Sequence, residues 1–380
     1  MKKIWIIALL LGVGKVMAQE SRAITTAVPF LNIAADARAA GMGDMGVATA
    51  TDAYSQQWNP AKFAFAERKM GVSVSYTPYL ESVITDIALL NAGYYNRIDE
   101  KSAFGVGLRF FTLGEIELRQ FASDPGTTAK PNEFALDASY ALKLSPQFSM
   151  AVAGRFISSN LKFPDGSSDS RAGSSFAVDV SGYYRSREIA YDNFDGRWRA
   201  GFNLSNLGGK IQYDAGGQEN FLPTNLGLGL GFDFIMDQDN VLSLTTEFNK
   251  LLVPTPRDFD GDGDIDSEDN DEYQKIGFLN GVFESFGDAP DGFSEELKEF
   301  TWALGAEYVY QDAFMIRTGY FNESEEKGAR KFFSLGAGFK FNVAQIDLSY
   351  LFSTSKVKNP LENTLRFSLT FNLGEQYYND

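Results

Sequence analysis

The chain has neither cysteine nor histidine in its 380 residues. Without cysteine there is no disulfide, no thiol nucleophile and no thiolate metal site. Without histidine the commonest general base and zinc ligand are gone, and with them any Ser-His-Asp triad. Carboxylate chemistry stays open, but no acid pair declares itself, so no catalytic residue and no enzyme activity are expected. Basic residues are also scarce: 34 Lys and Arg stand against 50 Asp and Glu, a net charge of -16. Nucleic acid requires a basic footprint and is excluded as a partner. Beyond the first residues no apolar run is long enough for a membrane-spanning helix. A barrel remains possible, because its strands need only about 9–11 alternating residues.

What the chain does contain begins with "MKKIWIIALLLGVGKVMAQE". Two lysines, an apolar run and the small-residue site Val16-Met17-Ala18 predict a secretory signal peptide over 1–18. Glycine (36), phenylalanine (33) and tyrosine (17) are abundant, as in a sheet with aromatic girdles. The period is two. In "TLRFSLTFNL" the residues Leu365, Phe367, Leu369, Phe371 and Leu373 share one face, opposite Thr364, Arg366, Ser368, Thr370 and Asn372. "NLGLGLGFDF" and "EFALDASYALKL" alternate in the same way.

Fourteen such segments are predicted, at 71–80, 85–97, 102–113, 132–144, 148–160, 173–185, 197–206, 224–235, 240–250, 300–311, 313–322, 332–341, 344–354 and 363–373. They are longer than the strands of soluble sheets, which average about 5–6 residues. Gaps after even-numbered segments are short (98–101, 145–147, 236–239, 342–343), with 186–196 the exception. Those after odd-numbered ones include 114–131, 161–172, 207–223 and 251–299. The fold class expected is therefore all-β, a fourteen-stranded antiparallel outer-membrane barrel over 70–374 with a tail at 375–380. Both termini are expected in the periplasm, with the long loops outside a Gram-negative cell and lipid around the wall. Polar residues on the inner face, such as Glu133, Asp137 and Arg366, are read as lumen-hydration or plug contacts.

Residues 19–69 precede the strands and are rich in small residues: "NIAADARAAGMGDMGVATATDAYSQQWNPAKFAFAE". Small side chains let backbone pack closely in a confined space, so the segment is expected to plug the lumen; a periplasmic tail is the alternative. With its glycines, Asp52 and the triplet Asn59-Pro60-Ala61, it resembles the N-terminal hatch of FadL-like outer-membrane transporters. That resemblance implies a fourteen-stranded barrel with a luminal hatch. "FLNIAADARAAGMGDMGVAT" and "FLNGVFESFGDAPDGFSEELKEFTWALGAEY", with the overall length, resemble one branch in particular, the PorV family of the type IX secretion system. This second resemblance extends over essentially the whole mature chain. It implies a non-enzymatic component that binds secreted cargo through a C-terminal signal domain. It also implies docking on the translocon barrel and delivery to a sortase-like attachment complex at the cell surface. The alternative it leaves is a FadL-type transporter of hydrophobic small molecules.

The longest loop, 251–299, carries "DFDGDGDIDSED". Aligned on a 12-residue calcium loop, it offers Asp258, Asp260, Asp262, the Asp264 carbonyl, Asp266 and Asp269, with Gly263 at the turn. Asp replaces the usual Glu at the last position, and Pro254 and Pro256 rule out a preceding helix. A stand-alone structural Ca²⁺ site is expected. Beyond it, Ile276, Leu279, Val282, Phe283 and Phe286 fall at helical spacing, stopped by Gly287 and Pro290. That face either packs on the barrel mouth or meets a partner.

Overall fold

A computed structural model describes residues 23–377, apart from 81–85, 120, 122, 124–125, 162–171, 214–216, 264, 356 and 358. The leader predicted at 1–18 lies outside the described residues, as does Asp264.

Fourteen antiparallel strands close into one barrel. They are β1 (Arg68–Pro78), β2 (Ile87–Arg97), β3 (Ser102–Leu113), β4 (Asn132–Lys143), β5 (Phe148–Asn160), β6 (Gly173–Arg185) and β7 (Asp195–Gly208). The second half adds β8 (Asn225–Ile235), β9 (Asn240–Leu251), β10 (Phe300–Tyr310), β11 (Phe314–Asn322), β12 (Lys331–Phe341), β13 (Ala344–Ser353) and β14 (Leu365–Gln376). Each follows its neighbour, and β14 closes on β1 through pairs such as Val72↔Phe371 and Val74↔Leu369. Closure leaves no sheet edge exposed to lipid.

Polarity is inside out. Ser73 and Ser75, Asp137, Asp179, Glu307, Arg317 and Arg366 are buried in the lumen, whereas Val72, Val74, Leu136, Phe176, Ile316 and Phe367 are exposed on the outer wall. A soluble sheet would bury the second set; a membrane barrel turns it to lipid. No helix among the described residues is long and apolar enough to cross a membrane, and the crossing is made by strands.

The sequence places every strand to within about three residues. The largest difference lies at the seam. β14 continues to Gln376 rather than stopping at 373, because Gly374 takes φ +82 and the register against β1 slips between Arg68 and Met70. A glycine bulge thus carries pairing past the point where alternation breaks.

Residues from Ala27 to Ala66 run mostly buried inside the barrel, a plug rather than a tail. Asp36 starts the short helix α1 (Ala37–Ala40) by accepting the Ala39 N–H at 2.8 Å. A second turn, α2 (Ser55–Trp58), leads into a 3₁₀ turn over Pro60–Phe65. Hatch and wall meet backbone to backbone. A Cβ on Gly319 of β11 would lie 2.1 Å from the Met42 carbonyl carbon, so only glycine fits there.

Candidate functional site

A loop buried in a lumen must have its backbone polar groups satisfied by the wall. Strand charges do this. Arg97, Arg109 and Arg199 donate to the Ala66, Leu31 and Ala48 carbonyls at 2.7, 2.9 and 2.6 Å. The Glu247 carboxylate accepts the Gly46 and Val47 N–H groups at 2.9 and 2.8 Å. Arg366 pairs with Asp44 of the hatch at 2.9 Å, a plug contact as expected. Asp137 instead pairs with Arg155 along the wall, and Glu133 accepts from Ser159.

The resembling triplet sits at the centre of this lock. Asn59 Oδ1 accepts the Ala61 N–H at 3.1 Å, and its Nδ2 donates to Val47 and, across to β6, to Gly182. Pro60 occupies the first position of the 3₁₀ turn, where a missing N–H costs nothing. The Ala61 carbonyl accepts from Ser149 on β5. Asp52 binds Arg38 at 2.8 Å, and Arg38 also forks onto Glu307 at 2.8 and 3.0 Å. Glu307 in turn holds Arg317, which reaches Asp347. Sequence reading did not find this chain, Asp52–Arg38–Glu307–Arg317–Asp347. Its visible trace was a mid-strand charge on the polar face of many strands.

Among the described residues, a cavity lies on each side of the hatch, and the two share no lining residue. The one toward the long loops, about 410 Å³, is lined by Asp44, Asn225, Glu247, Asn249, Glu323 and Arg330 among others. The one toward the short turns, about 240 Å³, is lined by Arg38, Asp52, Arg185, Arg199, Asp233 and Glu307 among others. Both linings carry charged side chains, and the long-loop one also carries Ile24, Leu31, Trp58 and Phe321, a mixed wall less apolar than hydrophobic ligands usually select.

Over the long-loop end lies the 252–299 segment. The Asp258, Asp260 and Asp262 carboxylates each place one oxygen within 4.8 Å of the others. Asp258 accepts the Gly261 and Gly263 N–H groups at 2.5 and 2.8 Å, with both glycines at positive φ. Those bonds, Gly263 first, hold the Asp258 carboxyl below its ordinary pKa. Asp266 and Asp269 lie one turn on. Asp266 caps a helix that the sequence did not suggest, α3 (Ser267–Lys275), in a capping box with Asp269. Asp269 also accepts the Phe259 N–H at 2.5 Å, which folds the start of the loop onto its end.

The apolar run beyond does not form one helix from 276 to 286. Ile276 ends α3, Gly277 breaks the chain direction, and α4 covers only Phe278–Glu284. Gly281 and Val282 pack down, with Gly281 against Pro254 and Phe221. The Tyr273 hydroxyl donates to the Pro254 carbonyl at 3.0 Å and its ring meets Phe221 edge-on. Other apolar side chains here are uncovered: Leu279 and Phe283 of α4 are about half and 76% exposed, Phe286 just beyond it about half, and Phe293 further along 76%. Val282 is thus buried and Phe283 exposed.

With this geometry established, likeness to known proteins gains a structural context. Residues 16–258 match the family model of the type IX secretion system protein PorV, well over half of the chain. The chain belongs to the PorV family. The match ends where the acidic loop begins, so α3, α4 and β10–β14 lie beyond it; the family model matches less of the chain than the sequence resemblance covers. No curated protein matches the chain.

Among solved structures, the PorV-family barrel is similar to the TodX deltaS2S3 mutant monoaromatic hydrocarbon channel. The TM-score is 0.51 at 12% identity, over 89% of this chain and 98% of that one. The Pseudomonas putida toluene transporter TodX gives 0.50 at 10% identity, over 89% and 98%. A FadL homologue from Pseudomonas aeruginosa gives 0.44 at 13%, over 92% and 99%. At such identities the first two likenesses establish a fold shared with the TodX channels, and nothing about what passes through it.

Proposed function

We propose that this barrel is a non-enzymatic carrier of the type IX secretion system. In this reading it binds cargo proteins by their C-terminal signal domain and docks on the translocon barrel. It then hands cargo to a sortase-like attachment complex. The observation that carries the reading is the PorV family match over 16–258, which makes the chain an outer-membrane component of that system. One structural feature leans the same way. The locked hatch fits either reading, whereas the lumen cavities on both sides of it carry charged side chains. A conduit for hydrophobic small molecules, the second reading suggested by the FadL-like fold, would need an apolar path.

The alternation of short and long connections supports an orientation with both termini and the short turns periplasmic and the long loop outside the cell. There Leu279, Phe283 and Phe286, with Ile276 and Val282 supporting them, form the contact surface for a protein partner. An exposed apolar patch of this kind marks interaction surfaces. The test is co-purification. Tagged barrel taken from detergent-solubilised outer membrane should bring the translocon barrel and signal-bearing cargo; bound lipid alone would favour the transporter.

We further propose that the acidic loop is a structural calcium site, with ligands from Asp258, Asp260, Asp262, the Asp264 carbonyl, Asp266 and Asp269. The convergence of the first three carboxylates supports it, since they repel one another without a cation. Calorimetric titration of calcium into wild type should give one more equivalent than titration into Asp260→Ala. Equal heats and stoichiometry in the two would remove the assignment.

A further inference from the structure

A second group of acids lies in the same loop, closer to the barrel and away from the acidic repeat. Asp288 follows α4, Glu296 ends the helix α5 (Phe293–Glu296), and Glu299 lies in the 3₁₀ turn that leads into β10. All three are more than nine-tenths buried. One carboxylate oxygen from each lies within 4.8 Å of the other two. Oxygens converging this closely are the precondition for one shared ion, since calcium–oxygen bonds run about 2.3–2.6 Å.

Buried carboxylates need partners, and here Lys250 and Lys327 serve Glu295, Glu296 and Glu299. Arg257 acts on Asp288 by charge, with no ion pair between them among the described residues. The Lys250 ammonium, at the end of β9, is shared between Glu296 and Glu299 at 2.6 Å from each. The Lys327 ammonium is shared between Glu299 at 2.9 Å and Glu295 at 2.7 Å. Among the described residues neither lysine reaches Asp288. Asp288 has one oxygen on the Thr255 N–H at 2.8 Å, and Glu299 takes the Thr255 hydroxyl at 2.6 Å. The other Asp288 oxygen, Oδ1, and Glu296 Oε2 have no hydrogen-bond partner among the described residues. An ionised oxygen left bare in the interior is costly, and a bound cation removes that cost.

We propose that Asp288, Glu296 and Glu299 form a buried site for a hard divalent cation of the calcium type, separate from the acidic loop. The donors are all carboxylate oxygens, which select calcium, magnesium or manganese over softer metals. Lys250 and Lys327 remain on the outward oxygens, while the ion takes the two bare ones and a share of Glu299. The consequence is mechanical. One ion would tie the segment after α4 to α5 and to the 3₁₀ turn that leads into β10. It would fix the platform from which Phe283 and Phe293 project.

The test uses the full barrel in detergent, stripped with chelator, with calcium alone as the probe. The background is Asp258→Asn/Asp260→Asn, which disables the acidic loop, so that failure of that site appears separately as no difference between wild type and background. The background should still bind one equivalent of calcium. Adding Asp288→Asn and Glu296→Gln should abolish that equivalent. Without calcium the added pair should be at least as heat-stable as the background, since repulsion has been removed. With calcium, only the background should gain in melting temperature. No calcium uptake by the background would overturn the proposal and leave Lys250 and Lys327 as the complete neutralising set. Uptake that persists through Asp288→Asn/Glu296→Gln would overturn it equally.

Discussion

Phe283→Ser with Phe286→Ser is expected to lower recovery of the protein partner on the barrel roughly thirtyfold or more, corresponding to about 2 kcal/mol for aromatic anchors at the centre of an interface. The barrel itself should fold and insert normally. Phe283 is 76% exposed and Phe286 about half exposed, so serine at these positions leaves no cavity in the core. Gly281 and Val282, which hold α4 down on Pro254 and Phe221, are untouched by the exchange. The Phe286 ring centre lies 5.9 Å from the Lys250 ammonium, so the single variant Phe283→Ser separates partner contact from any effect on that lysine. Unchanged partner recovery by both variants, with wild-type heat modifiability in gels, would remove this surface from the account.

The second large effect concerns the hatch. Arg38→Met removes the side chain that, among the described residues, joins Asp52 of the hatch to Glu307 of β10, both buried or nearly so. Breaking a buried ion pair from one side leaves an uncompensated charge and costs about 3–5 kcal/mol. The lower end applies here, because Glu307 keeps Arg317 as a partner. The fourteen-strand ladder does not depend on this pair. The expected phenotype is therefore local: an intact barrel whose segment 27–66 becomes open to protease, and a measurable conductance in planar bilayers. Protection and conductance equal to wild type would show that Asn59 and the arginine–carbonyl bonds hold the hatch without Arg38.

The strands were legible because a membrane barrel writes one apolar and one polar residue in turn, and nothing in the wall violates that rule for long. β14 shows the limit, since a glycine bulge ended the visible pattern three residues before the strand ended. The plug was legible only as composition together with a resemblance through Asn59-Pro60-Ala61. Its lock was not, because Arg38 and Glu307 meet across 269 residues and no local pattern encodes such a pair. Helix α3 escaped for a different reason. Its sequence SEDNDEYQK has almost no apolar residue to set a period, and the helix is begun by the Asp266 capping box instead. The run from 276 to 286 read as one helix because its apolar spacing ignores Gly277, where the chain turns. Asp288, Glu296 and Glu299 carry no local motif, and only folding brings them together.

The central claim is that this barrel carries protein and does not conduct hydrophobic small molecules. The most direct measurement is the inventory of what stays bound to tagged barrel purified from solubilised outer membrane, by mass spectrometry of protein and lipid fractions together. The account predicts the translocon barrel and cargo bearing C-terminal signal domains, lost on Phe283→Ser/Phe286→Ser. Hydrophobic small molecules at stoichiometric levels, with no secretion protein present, would contradict it.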